Sequence, residues 1–233
     1  MCVAAECTGK SGFLVAEDDS TFKQLTNGMH INSYEGIENG PITIRQKLLS
    51  LELQKDKDKS HTEIMIDNFF MVKSLGLVVL GKVVRGKAEV HDKLTILPAG
   101  KEVEIKSIQI HDKDVKNCEL GRLGAVLKGI EYEQMDKGSL LVANQSQFVC
   151  AESFELEASV SKFSKKGIEE NGVYYLSYGL QFVHAKAGCA LKSGQSGKVM
   201  LSCDRKFAFR KSERVLICNP NEAPTVIGWG KVT

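Results

Sequence analysis

Three features of this 233-residue chain specify a mainly β protein, two small antiparallel β-barrels preceded by a short α/β remnant. From about residue 62 the apolar pattern takes a period of two, the spacing of half-buried strands. Short runs rich in Val, Ile and Leu recur there between turn residues, as in small barrels and sandwiches. Helical spacing is confined to the first fifty residues.

In that first segment Phe13-Leu14-Val15-Ala16 reads as a short buried strand. Asp19 or Ser20 can then cap a helix through Phe22 and Leu25 that Gly28 closes. A second strand is expected near His30–Tyr34. Pro41, just after Asn39-Gly40, suits the first turn of a further helix. Ile44, Leu48 and Leu51 follow at i, i+4 and i+7 and give that helix one apolar face. Two such units cannot bury a full core, so residues 1–52 are expected to be an incomplete α/β remnant of something larger. The run Glu52–Thr62 (ELQKDKDKSHT) is charged with almost no apolar anchor, and residues 53–61 are assigned as a linker.

The first barrel is assigned to residues 62–145 and the second to 146–233. Leu77–Val84, Leu94–Leu97, Glu102–Ile110 and Leu123–Gly129 are its first strand candidates, with Pro98-Ala99-Gly100 as a hairpin tip. In the second barrel Phe154, Leu156, Ala158 and Val160 alternate with polar residues. Val199 with Leu201, and Val215 with Ile217, do the same. Gly194–Gly197 and Asn219–Asn221 read as its loops.

Hydrophobic content of 42% and charged content of 26% are ordinary for a globular protein. No apolar run reaches the length of a membrane helix, and the early acids Asp18-Asp19 argue against a signal peptide. Seven cysteines without CxxC spacing read as reduced, mostly buried thiols of a cytoplasmic protein. Charge is uneven. Residues 1–60 hold 7 basic and 9 acidic side chains, residues 61–145 hold 12 of each, and residues 146–233 hold 12 and 8. The last third, at net +4, is where a phosphate backbone would bind.

Ala4–Ser11 (AAECTGKS) fits a permissive phosphate-loop pattern with Ala for the first Gly. A working loop needs a buried strand before it and a helix opening at the Lys. Strand-like Phe13–Ala16 follows instead, so the match is read as coincidence. Neither Asp-x-x-Gly nor Asn-Lys-x-Asp occurs, and the histidines show no metal-ligand spacing. No catalytic residues, metal ligands or cofactors are expected in this chain.

The specific stretch runs from Ile66 to Leu141. It contains Ile66-Asp67-Asn68-Phe69-Phe70-Met71-Val72-Lys73, Gly76, Val78-Val79-Leu80-Gly81 and Val84-Arg85-Gly86. Asp92-Lys93-Leu94, Pro98-Ala99-Gly100-Lys101, Ser107-Ile108-Gln109-Ile110-His111-Asp112, Leu127-Lys128-Gly129 and Asp136-Lys137-Gly138 follow. This order resembles the second-domain barrel of elongation factor Tu and its archaeal relatives over about eighty residues. Glu155–Lys166, Leu180–His184 and Lys206–Cys218 are similar to the third barrel of archaeal paralogues of elongation factor 1-alpha, related to the selenocysteine-specific and pyrrolysine-associated factors. Residues 1–52 resemble the end of that subgroup's degenerate nucleotide domain.

The resemblance implies a translation elongation factor-like, tRNA- or ribosome-binding module without a GTP site of its own. GTP and magnesium would enter only with a complete nucleotide domain upstream. Gln109, His111 and Asp112 fall in the segment flanking the terminal adenosine of tRNA, and Arg122 falls close to the aminoacyl group. Leu120-Gly121 replaces the family's Gly-Asp before Arg122. Phosphate-backbone candidates are Lys162, Lys165 and Lys166, and the cluster Arg205, Lys206, Arg210, Lys211 and Arg214. Expected partners are tRNA or ribosomal RNA, with the ribosome or a partner GTPase, and neither DNA nor membrane. Two rival readings stand beside it: an adaptor docking on a GTPase or the ribosome, and a fragment of a GTP-binding elongation factor.

Overall fold

A computed structural model describes residues 2–15, 19–27, 29–51 and 58–232. The N-terminal segment holds α1 (Cys2–Thr8), β1 (Phe13–Leu14), α2 (Asp19–Leu25), β2 (Glu35–Gly36) and α3 (Pro41–Leu49), with β1 and β2 parallel. The Gly9-Lys10-Ser11 of the phosphate-loop lookalike follows a helix instead of opening one. Gly9 has φ +61°, and its N–H returns to the Ala5 and Glu6 carbonyls (3.1 and 3.2 Å), so it ends α1.

Three expectations for this segment change. His30–Ser33 forms a 3-10 turn, not a strand, and the strand lies just after it at Glu35–Gly36. The Asn32 side chain accepts a hydrogen bond from the Thr26 hydroxyl (2.6 Å) while Ile31 is buried, and this local bonding competes with an extended chain. The first strand stops at Leu14; Ala16, the helix-closing Gly28 and most of the linker lie outside the described residues. Pro41 does open α3, yet no residue of α3 is buried. Ile42 and Leu49 are about three-quarters exposed (73% and 75%), because no second layer covers the helix among the described residues.

The first barrel comprises β3 (Glu63–Val72), β4 (Gly76–Arg85), β5 (Ala88–Glu89), β6 (Lys93–Leu97), β7 (Lys101–Ile110), β8 (Lys113–Val115), β9 (Asn117–Cys118), β10 (Gly121–Lys128) and β11 (Leu140–Val142). Its sheet runs β10-β4-β3-β11-β6-β7, and β7 pairs back onto β10 to close six strands. Closure leaves no open edge between these strands. Gly81 permits it: a Cβ there would stand 2.6 Å from the Met65 carbonyl oxygen on the neighbouring strand. The second barrel closes in the order β12-β15-β14-β13-β16-β17, from β12 (Phe148–Val160), β13 (Val173–Tyr178), β14 (Gln181–Ala187), β15 (Ser196–Arg210), β16 (Val215–Cys218) and β17 (Val226–Lys231).

Side-chain alternation explains how the barrels join. Ile64, Ile66, Ile96 and Leu141 point into the first core. Their neighbours Leu97, Leu140 and Val142 point out and merge with the second core, among Phe148, Phe207 and Phe209. Glu63 takes the same outward direction and is 1% exposed. Its Oε2 accepts from Arg210 Nε (3.0 Å) and Nη2 (2.9 Å), and its Oε1 accepts from Tyr178 Oη (3.1 Å). Burial, followed by the Glu63 charge, pushes the Tyr178 phenol above its usual range and keeps it a donor.

α1 docks on the second barrel. Arg214 stacks over Trp229 (4.0 Å) and donates to the Glu6 and Cys7 carbonyls at the end of the helix (2.9 and 3.1 Å). Cys7 is buried there, and burial pushes its thiol up to about 12. Of the six cysteines whose side chains are described, Cys7, Cys118 and Cys218 are buried and Cys150 is exposed.

Candidate functional site

Strand β10 is the spine of the site because it lies between β4 and β7. Gly124 stands opposite Leu80 on one side and Gln109 on the other, while Arg122 stands opposite Lys82. Gly124 has no side chain, so the outer barrel wall is hollow between its neighbours. The hollow is a cavity of about 650 Å³, lined by Asp67, Leu80, Lys82, Gln109, His111 and Arg122 among others. Leu180, from the β13–β14 turn of the second barrel, adds an apolar wall.

The β7–β8 hairpin supplies the rim. Ile110 pairs with Lys113, leaving His111-Asp112 as a two-residue turn. Their φ angles are +49° and +61°, the double left-handed geometry that suits the twist of two strands. Gln109 Nε2 donates to Asp114 Oδ1 (2.8 Å), which fixes the Gln109 amide beside the turn. The structure thus brings Gln109, His111 and Arg122 together at one cavity. Asp112 sits at the exposed tip and is not part of the lining.

Among the described residues neither the Arg122 nor the Lys82 side chain makes a hydrogen bond or an ion pair, and both residues are exposed. Two cations side by side across a ladder repel each other unless an anion lies between them. A guanidinium offers a planar fork to a phosphate or carbonyl oxygen, and an amide and an imidazole offer hydrogen bonds to a base or ribose edge.

The basic candidates of the second barrel separate into two groups. Arg210 is 8% exposed and turned to Glu63, so it is not presented to an outside phosphate. Arg214 is committed to α1, and Lys162 donates to the Asn27 carbonyl (3.1 Å). Arg205 donates to the Phe182 carbonyl (3.1 Å) and lies 3.8 Å from Asp136 of the first barrel. Lys165, Lys166, Lys206 and Lys211 are exposed, with no side-chain hydrogen bond or ion pair among the described residues. The clustering in sequence counted charges without their direction.

Sequence reasoning missed Lys82, which register alone would have placed beside Arg122. It also missed Leu180, which no local pattern connects to the first barrel. Nothing in the described residues groups three or more His, Cys, Asp or Glu side chains for a metal ion. No described helix is long and apolar enough to cross a membrane.

Two closed six-stranded barrels share one buried interface, and a cavity with both polar and apolar walls opens on the side of the first. The chain is 30% identical over 223 residues to an uncharacterized protein of Methanocaldococcus jannaschii, covering 94% of this chain and 70% of that one. It is 27% identical over 218 residues to the selenocysteine-specific elongation factor of the same organism, covering 85% of this chain but 46% of the factor. Elongation factor 1-alpha of Desulfurococcus mucosus matches at 31% over 103 residues, 44% of this chain and 23% of that factor. In fold, the elongation factor SelB from Methanococcus maripaludis with a bound GTP analogue superposes at a TM-score of 0.74 with 18% identity, over 98% of this chain and 60% of that one. No protein-family model matches the chain. The chain belongs to the family of elongation factor Tu- and SelB-like translation factors.

Proposed function

We propose that this chain is a tRNA- or ribosome-binding module that holds the acceptor end of an RNA in the β4-β10-β7 cavity and carries no GTP site of its own. The observation behind this reading is the convergence of Gln109, His111 and Arg122 on one cavity that Lys82 makes more cationic. The end of α1 at Gly9 supports the second half, since Lys10 lacks the helix N-terminus that a phosphate loop requires. In this reading the chain acts in the cytoplasm.

A filter-binding titration with aminoacylated and deacylated tRNA tests it. Both RNAs bind in a salt-dependent manner, and the aminoacylated form binds more tightly. Loss of all salt-dependent binding overturns the reading. Lys165→Ala with Lys166→Ala lowers the log–log salt slope by about 0.9 for each lysine that touches a duplex phosphate. An unchanged slope removes both from the interface.

The exposed apolar side chains of α3 favour a second reading, an adaptor docking on a GTPase or ribosomal protein. Co-purification of a protein partner with no RNA retained would support it. A third reading makes the chain part of a GTP-binding elongation factor, since it spans less than half of the selenocysteine-specific relative. A phosphate-loop motif encoded upstream of Met1 would establish that.

A further inference from the structure

The outer face of β14 departs from the usual polar exterior of an antiparallel barrel. The strand alternates strictly, with Gln181, Val183, Ala185 and Ala187 buried and Phe182, His184 and Lys186 exposed. Phe182 is 51% exposed near the start of the strand, paired with Ser177 of β13. It does not stand alone. Tyr175, on the neighbouring β13, packs against Phe182 with ring centroids 5.0 Å apart at 31°, and against His184 at 4.2 Å and 47°. Three rings therefore form one platform, ordered by the β13–β14 ladder, where Tyr175 faces His184 and Ser177 faces Phe182.

Charge decides what such a platform fits. Lys186 shares its face of β14, Arg205 reaches the Phe182 carbonyl, and Lys206 follows it in the chain. Two carboxylates lie nearby: Asp204 is held by His184 Nδ1 at 3.1 Å, and Asp136 of the first barrel stands 3.8 Å from Arg205. Aromatic faces flanked by cations match unpaired nucleotides, whose bases stack while their phosphates lie along the basic edge. A duplex hides its base faces and gains nothing from the rings. We infer that the β13–β14 face of the second barrel binds single-stranded RNA by base stacking on Phe182, Tyr175 and His184. None of the three rings lines the first barrel's cavity, although Phe182 stands two residues beyond its wall residue Leu180, and the inference rests on the proposed RNA-binding reading only for the choice of RNA over DNA.

The test is a fluorescence titration of the full chain with an oligouridylate of about 12 nucleotides, against a duplex of the same length. The single strand binds better than the duplex. Phe182→Ala weakens single-strand binding by about five-fold or more, and Phe182→Tyr restores it because the ring remains. Arg122→Ala leaves it unchanged while weakening aminoacyl-tRNA binding, which separates this site from the cavity. Absence of oligouridylate binding, or equal affinity of Phe182→Ala and the parent, overturns the inference even where tRNA still binds. A platform that instead holds a protein or a second copy overturns it too: Phe182→Ala would then abolish co-purification or self-association and leave oligouridylate affinity untouched. Phe182 is half exposed, so its replacement leaves the folded barrel intact.

Discussion

Glu63→Ala is expected to lower the unfolding free energy by about 3–5 kcal/mol, the cost of leaving a buried charge without its partner. The carboxylate is 1% exposed and takes both Arg210 donors on one oxygen and the Tyr178 hydroxyl on the other. Its removal leaves the Arg210 guanidinium, itself 8% exposed, with the Gln147 amide oxygen and the Phe148 ring but without the carboxylate that balances its charge. Domain stabilities run to about 5–15 kcal/mol, so the loss is a large share of the total. Urea unfolding followed by Trp229 fluorescence would show the shift, with the two barrels separating into distinct transitions as the interface fails. Replacing the pair together, Glu63→Met with Arg210→Met, should recover much of the loss, because an apolar substitute needs no counter-charge. A midpoint close to the parent's for Glu63→Ala would mean that water reaches Arg210 and that the interface is held by its apolar residues alone. The same substitution reaches the site. Leu180, the cavity's apolar wall, stands two residues beyond Tyr178, so freeing Tyr178 loosens that wall and weakens RNA-end binding as well.

The barrel strands were legible because period-two patterning and turn chemistry act over a few residues. Pro98-Ala99-Gly100 separates β6 from β7 where expected, and Gln109, His111 and Arg122 met as a group because β7 and β10 are ladder partners. What crosses between barrels was not legible. Glu63 and Arg210 are 147 positions apart, and an arginine on a strand reads as surface until its face is known. The same blindness to direction made one cluster of Arg205, Lys206, Arg210, Lys211 and Arg214, although Arg210 and Arg214 turn inward to Glu63 and α1. The apolar face of α3 fails in the opposite way. The helix forms but ends at Leu49, which leaves Leu51 outside it, and spacing says only that a face can be buried, not that something buries it.

Arg122→Ala is expected to weaken aminoacyl-tRNA binding by about 10- to 150-fold, the equivalent of losing a hydrogen bond to a charged group worth ~1.5–3 kcal/mol. The protein should fold as before. Arg122 is exposed and has no internal partner among the described residues, and its ladder neighbour Lys82 repels it. Removing it therefore changes stability by no more than about 0.5 kcal/mol, in the stabilising direction if at all. Arg122→Lys keeps the charge but loses the planar fork, so its affinity should fall between the two. Salt titration then identifies the atom that the guanidinium meets. If Arg122 holds a phosphate, the slope of log affinity against log salt drops by ~0.7 for a single strand as the affinity falls. If it holds the aminoacyl carbonyl, the slope stays and only the preference for aminoacylated over deacylated tRNA is lost. Unchanged affinity for both RNAs would remove Arg122 from the site and leave the cavity to Gln109, His111 and Lys82.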